Sequence, residues 1–310
     1  ICTFCSGPSF IFIPFGLSMN SVHENNLFNI STKTEFSDFA LQVFQRQAKE
    51  VAVYAEYLDL IKVEPSHIDS IDDIPFLPIS FFKSRKVLPE SKVEQIVFSS
   101  SGTTGQISSR HLVSDIKVYE ASFRNGFKHF YGDIEDYCIL ALLPAYLERT
   151  GSSLVYMVDD LIENSNHNKS GFYLHNHQEL RKTLAALKAE GQKTLLIGVS
   201  FGLLDFIEGD PFHWPELIVM ETGGMKGRRK EMIRSELHSI LKSGFDVEQI
   251  HSEYGMTELL SQAYSKGNGI YHCPPWMKVS TRDSADPFGR VNYGDSGGLN
   301  IIDLANINSC

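Results

Sequence analysis

Positive charge is in short supply: 28 lysines and arginines stand against 38 aspartates and glutamates, for a net charge of −10 with histidine neutral. Gripping nucleic acid or an anionic membrane requires a basic face. Both are therefore excluded as the main task, while a local pocket for a nucleotide stays open. Cysteine is scarce as well. Cys2, Cys5, Cys138, Cys273 and Cys310 are odd in number and scattered. They spell neither a disulfide framework nor a zinc ribbon, so a reducing cytoplasm is the expected home. Long apolar runs are also missing. Phe10 to Leu17 comes nearest, but Pro14 breaks it, Pro8 stands just before it, and no lysine or arginine precedes it. A secretory leader needs a basic start and an unbroken run, and a membrane helix needs about 20 apolar residues. Membrane insertion is not expected. The chain opens on Ile1 and its first methionine is Met19. Residues 1–18 are read as a non-native or disordered extension, and 19–310 as the core domain.

What is present is a chain of 310 residues, 42% hydrophobic, without an internal repeat or a low-complexity linker. That is enough for one large core or two smaller ones. Phe36, Phe39, Ala40, Val43 and Phe44 follow the cap candidates Thr34 and Ser37 at helical spacing, and Val51, Tyr54, Tyr57, Leu58 and Ile61 continue the pattern. Ile74 to Lys83 holds two prolines and reads as an extended apolar strap. Tyr119, Phe123, Phe127 and Phe130 predict a helix ending near Gly132. Leu180, Leu184 and Leu187 predict one closed by Gly191, Leu203 to Ile207 a short one, and Met232 to Leu241 one capped by Gly244. Gln95–Phe98, Cys138–Leu143, Thr194–Val199 and Leu217–Met220 read as strands. Strands that are apolar on both faces and alternate with helices imply an α/β fold of covered sheets.

Three polar segments follow predicted strands, where ligand loops lie in such folds. Phe98-Ser99-Ser100-Ser101-Gly102-Thr103-Thr104-Gly105 offers hydroxyls and a backbone free to turn its N–H groups onto an anion. It lacks the Gly-Lys-Ser/Thr ending of a Walker loop, which argues against an ordinary P-loop enzyme. Glu221-Thr222-Gly223-Gly224-Met225-Lys226-Gly227 offers adjacent glycines against which a flat base can lie, or simply a tight turn. His251-Ser252-Glu253-Tyr254-Gly255-Met256-Thr257-Glu258 gathers an aromatic ring, a hydroxyl and two carboxylates. There, Tyr254 suits stacking, Thr257 a phosphate, and Glu258 magnesium, which takes one or two carboxylates besides phosphate. Taken singly, each segment also reads as a solvated loop.

In this order, Ser-Ser-Gly-Thr-Thr-Gly, Thr-Gly-Gly and Glu-Tyr-Gly-Met-Thr-Glu resemble the motif set of the adenylate-forming acyl ligase superfamily. Pro75-Phe76-Leu77-Pro78-Ile79-Ser80-Phe81-Phe82-Lys83-Ser84 and Ser108-Ser109-Arg110-His111 resemble the LuxE-type acyl-protein synthetases, with phenylacetate–CoA ligases as the next relatives. The resemblance runs from about Leu27 to Cys310. It implies the large N-terminal domain of that fold, with mixed covered sheets flanked by helices and the small C-terminal domain absent or truncated. It implies activation of a fatty or other apolar carboxylic acid by ATP with Mg2+, giving an acyl-adenylate and pyrophosphate. The acyl group then passes to a thiol: a protein cysteine, CoA or a carrier protein, with an acyl reductase as a conceivable partner.

The implied nucleotide set is Ser100, Ser101, Gly102, Thr103, Thr104, Gly105, Thr222, Gly223, Gly224, Glu253, Tyr254, Gly255 and Met256. Thr257 and Glu258 fill catalytic positions, Glu258 also the metal position. The superfamily's lysine after the phosphate loop is replaced here by Arg110, which either takes its charge role or makes a structural salt bridge. A ribose-binding aspartate and a catalytic lysine are expected beyond Cys310. Pro144, Tyr146, Glu148, Arg149 and Ser153 fall where relatives line the acyl pocket. Adjacent residues such as His272 and Cys273 point to opposite faces of a strand, so they make a poor metal pair. Asp159-Asp160 and the 167–177 segment read as solvated loop. Two other readings are an aryl-acid CoA ligase and a non-catalytic nucleotide-binding partner of a reductase or acyltransferase.

Overall fold

The computed structural model describes residues 24–100, 107–143, 151–173, 176–224, 229–289, 291–292 and 294–310. Residues 1–18 lie outside them. In chain order the strands are β1 (Ile96–Ser99), β2 (Arg110–Val113), β3 (Cys138–Leu142), β4 (Gly171–Phe172), β5 (Thr194–Val199), β6 (Ile218–Thr222), β7 (His251–Tyr254), β8 (Ala263–Ser265), β9 (Met277–Arg282) and β10 (Gly298–Asp303). The helices are α1 (Lys33–Glu50), α2 (Ala52–Leu60), α3 (Phe81–Ser84), α4 (Ile116–Tyr131), α5 (Ser153–Asn164), α6 (His177–Glu190), α7 (Ser200–Ile207) and α8 (Arg234–Phe245).

Every side chain of β3 and β5 is buried, which requires helices over both faces of their sheet. Among the described residues that sheet has the order β4-β3-β5-β6-β7-β8. It is parallel from β4 to β7, and β8 runs antiparallel to β7. From β3 the chain steps outward to β4 and then returns to β5 on the other side of β3. This reversal opens a crevice at the carboxyl ends of the strands, the usual ligand position in such sheets. Two antiparallel pairs, β1 with β2 and β9 with β10, form separate sheets. The main core runs through Phe123, Ile139, Leu196, Leu241 and Phe245, and a second cluster around Phe44, Tyr54 and Phe82 joins α1, α2 and α3. No helix among the described residues is long and apolar enough to cross a membrane.

The expected strands stand within a residue or two, and so do the helices centred on Phe123 and Leu184. Gly191 closes α6 in the left-handed region at φ 67°. Five expectations are corrected. First, α1 is capped by Thr32 rather than Thr34 or Ser37: its hydroxyl accepts the Glu35 N–H while the Glu35 carboxylate accepts the Thr32 N–H, a reciprocal capping box. Second, Gly244 lies inside α8, which ends at Asp246 with φ 58°. A side chain at 244 would run into Ile207 of α7. Third, the strap is extended only to Pro78 and then winds into α3. Fourth, Asp159 and Asp160 belong to α5, where Asp160 pairs with Arg124 of α4. The 167–177 segment contains β4 and the first residue of α6, with residues 174–175 outside the description. Fifth, His251 to Tyr254 is itself the strand β7.

Candidate functional site

The loop after β1 is closed at its base by Ser100. Its N–H donates to the Ser109 carbonyl at 3.0 Å, and its hydroxyl accepts the Ser109 N–H at 2.9 Å. The neighbouring Ser99 N–H donates to the Gly151 carbonyl at 2.8 Å, tying the hairpin to the start of α5. Ser101, Gly102, Thr103, Thr104 and Gly105 lie outside the described residues, as do Pro144, Tyr146, Glu148 and Arg149. Ser153 opens α5, and its carbonyl accepts the Tyr119 hydroxyl at 2.9 Å. Arg110 faces Ser99 across the hairpin and is exposed. Among the described residues it has no ion-pair partner.

At the end of β6 the backbone turns sharply. Gly223 takes φ 70°, a left-handed conformation that glycine adopts without a steric penalty. The Gly223 carbonyl accepts the Ser200 hydroxyl at 3.2 Å. A Cβ added to Gly224 would meet nothing within 4 Å, so the turn presents bare backbone on that side. Residues 225–228 are outside the description. Thr222 points the other way. It is buried, and its hydroxyl donates to Glu253 Oε2 at 2.6 Å.

Glu253 is only 7% exposed. Burial raises its pKa to about 7, the Thr222 hydrogen bond opposes the rise, and the Glu221 carboxylate adds to it. A Cβ at Gly255 would stand 2.5 Å from Glu253 Oε1, so a larger residue there would push this carboxylate aside. The side chains of Thr222 and Glu253 are thus spent on each other beneath the two turns. Glu221, in the middle of this arrangement, is buried too, with Ser200 Oγ at 3.3 Å, His238 Nε2 at 3.5 Å and Arg234 Nε at 3.7 Å. Its signal in the sequence is a lone carboxylate closing the apolar run Leu217–Met220.

Past β7, Tyr254 is half-buried, with its hydroxyl donating to Met256 Sδ at 3.2 Å and its ring set against the edge of Tyr271 at 6.0 Å. Glu258 is 8% exposed, yet its carboxylate has no hydrogen-bond or ion-pair partner among the described residues. Tyr254, Met256 and Glu258 all line an open cleft of ≈ 1220 Å³ between α1, the strap and the β9–β10 pair. Thr257 is fixed through its carbonyl by His111 Nδ1 at 2.9 Å. His111 itself is fully buried, which lowers its pKa to about 4 against the raising effect of the Thr257 carbonyl. Asp303 and Asn306 also hold this turn, and sequence reasoning missed both. The signal for them is a pair of polar residues, one closing β10 and one just past it, among the apolar residues Ile301, Ile302, Leu304, Ala305 and Ile307.

No group of three or more histidine, cysteine or acidic side chains able to hold a metal occurs among the described residues. His251 is bonded instead to the Tyr131 hydroxyl at 3.1 Å. A single inward carboxylate such as Glu258 matches the way magnesium is held, by one or two carboxylates with phosphate oxygens supplying the rest. Cys310 is packed near Phe44 and Tyr54, and burial pushes its thiol upward, away from nucleophilic use.

No protein-family model matches the sequence, and no curated protein does. Among solved structures, the chain matches 2-hydroxyisobutyryl-CoA ligase in an open conformation with 2-HIB-AMP and CoA. The identity is 11% and the TM-score 0.63, over 89% of this chain and 62% of that one. It also matches the same ligase in the postadenylation state with 2-HIB-AMP, at 13% identity and TM-score 0.62, over 96% and 65%. The chain therefore spans less than two thirds of the length of these solved ligases. The fold is that of the large N-terminal domain of adenylate-forming enzymes.

Proposed function

We propose that this chain is the nucleotide-binding body of an AMP-forming acyl ligase. In the reaction a carboxylate attacks the α-phosphorus of ATP, the acyl–phosphate bond forms and pyrophosphate leaves; a thiol then displaces AMP. One observation carries the reading. The Gly223-Gly224 turn and the Tyr254–Glu258 turn leave adjacent parallel strands at their carboxyl ends, and beneath both turns Thr222 is hydrogen-bonded to Glu253.

In this reading the bare backbone at Gly223 and Gly224 faces adenine and Tyr254 stacks on it. Thr257 reaches the α-phosphate, and the loop from Ser100 to Gly105 binds the β- and γ-phosphates with Arg110 supplying charge. Glu258 would hold Mg2+, which when bound offsets phosphate charge. Preorganised dipoles and charges of this kind are the main lever on such chemistry. The CoA seen with 2-hydroxyisobutyryl-CoA ligase supports a thiol acceptor in general. The resemblance of Pro75–Ser84 and Ser108–His111 supports a fatty or other apolar acid and a protein thiol, in a cytoplasmic setting.

The test, on a full-length version of the protein, is exchange of labelled pyrophosphate into ATP with Mg2+ and a panel of fatty and aryl acids. Exchange that depends on a fatty acid is expected. Exchange with aryl acids alone would move the protein to the phenylacetate–CoA ligase type, and no exchange with any acid would remove the ligase reading.

A further inference from the structure

The turn that carries Thr257 and Glu258 is closed internally by one backbone bond, Leu259 N–H to the Met256 carbonyl at 3.1 Å, and the rest of its hold comes from outside. Three side chains from distant parts of the chain supply it. His111, on β2, bonds the Thr257 carbonyl through Nδ1 at 2.9 Å and Ser309 Oγ through Nε2 at 2.8 Å. A carbonyl only accepts, so Nδ1 carries the proton and Nε2 accepts from the Ser309 hydroxyl. Asn306 Nδ2 donates to the Glu258 carbonyl at 2.8 Å. Asp303, the last residue of β10, accepts the Leu260 and Ser261 N–H groups on Oδ2 at 2.8 and 2.9 Å, and the Ser261 hydroxyl on Oδ1.

The holders are held in turn. Gln47 of α1 is buried and donates through Nε2 to the carbonyls of Asn306 and Ser309, at 2.7 Å each. Its neighbour Arg46 donates to the Ile307 carbonyl. His111 is wedged edge-on against Phe82 of α3, with ring centroids 5.5 Å apart. Both ends of the arrangement therefore rest on the α1–α3 cluster and on the hairpin whose loop carries the Ser-Ser-Gly-Thr-Thr-Gly motif. Asn306 Oδ1 is buried without a hydrogen-bond partner among the described residues; the other polar atoms named are paired, and removing such a partner from a buried network is costly.

We propose that His111, Asp303 and Asn306 are positioning residues: they clamp the backbone of residues 257–261 so that the Glu258 carboxylate faces the cleft, and His111 couples that turn to the phosphate-loop hairpin. What the turn is held for rests on the nucleotide reading above; the clamp itself does not.

The experiment compares the full chain with His111→Phe, His111→Asn and Asn306→Ala. The phenylalanine keeps an aromatic ring against Phe82 but removes the donor, whereas the asparagine amide restores a donor near Nδ1. Binding of ATP with Mg2+ is followed by calorimetry, and amide exchange of residues 254–262 by mass spectrometry. His111→Phe is expected to weaken ATP by about tenfold, the scale of one lost hydrogen bond, and to speed exchange at Leu260 and Ser261. His111→Asn is expected to recover most of both. Nitrogen NMR of the wild-type imidazole is expected to show a protonated Nδ1 and a bare Nε2. If His111→Phe fails to fold, Asn306→Ala serves in its place, with the same two changes expected.

Unchanged exchange in the variants, or the opposite tautomer, would overturn the clamp. Faster exchange with ATP affinity unchanged would overturn the positioning role. If the wild type binds no ATP, the nucleotide reading falls, and exchange and tautomer alone decide whether the clamp stands.

Discussion

β5 and β7 lie in the same sheet, separated by β6, and they bury opposite kinds of side chain. β5 runs Thr194-Leu195-Leu196-Ile197-Gly198-Val199 with every residue buried, and its glycine is there because a Cβ would stand 2.8 Å from Leu203. β7 runs His251-Ser252-Glu253-Tyr254 and buries a carboxylate at a position where β5 places aliphatic carbon. The first strand lowers the free energy of the fold through the apolar area it removes from water. The second raises it, since an ionised carboxylate loses hydration on burial. The lesson is a division of labour along the sheet. β3 and β5 supply stability, and the carboxyl ends of β6 and β7 give up some of it to hold two turns in register through Thr222 and Glu253.

Removing the stabilising half of this contrast should have the largest effect. Leu196→Ala empties a fully buried position on β5 and is expected to cost about 2–5 kcal/mol, measured by denaturant unfolding at neutral pH. A cost under about 1 kcal/mol would show that β5 is not the anchor.

Next comes Glu253, whose pKa is raised to about 7 from the ordinary 4.5. Below the lower value the carboxyl is protonated both folded and unfolded, so stability does not change with pH on its account. Between the two values the unfolded chain ionises and the folded chain keeps its proton. Folding then takes up a proton, so stability falls as pH rises and levels off above about 7. The decline should reach roughly 3 kcal/mol at most. Glu253→Gln should remove this part of the decline, so that the variant gains on the wild type between pH 5 and pH 8 in unfolding titrations. An identical pH profile for both proteins would place the Glu253 charge elsewhere.

Much of this contrast could be read in the sequence, but not all of it. The apolar runs of β3 and β5 and the Leu180-Leu184-Leu187 periodicity carry their own secondary structure, because the pattern that forms the element is the pattern that buries it. Gly244 misled because its glycine answers a tertiary contact with Ile207, whereas a cap signal is local. Asp160 misled because its partner Arg124 lies 36 residues away. β7 was hidden for the same reason: its polar residues find Thr222 and Tyr131 only after the sheet has formed. Within the site, nothing local says that Glu253 turns inward while Glu258, five positions on, lines a cleft. That difference is set by Gly255 and by the hold of His111 and Asn306 on the backbone between and beyond them.

Glu258 is a nearly buried carboxylate beside an open cleft, without a hydrogen-bond or ion-pair partner among the described residues. Calorimetry of ATP with and without Mg2+, on the wild type and on Glu258→Ala, addresses it directly. The prediction is Mg2+-dependent ATP binding in the wild type. In the variant, binding should be weaker by about tenfold or more, the worth of one contact to a charged group, with an unchanged melting temperature. ATP binding of equal strength in both proteins, or none in either, would contradict it.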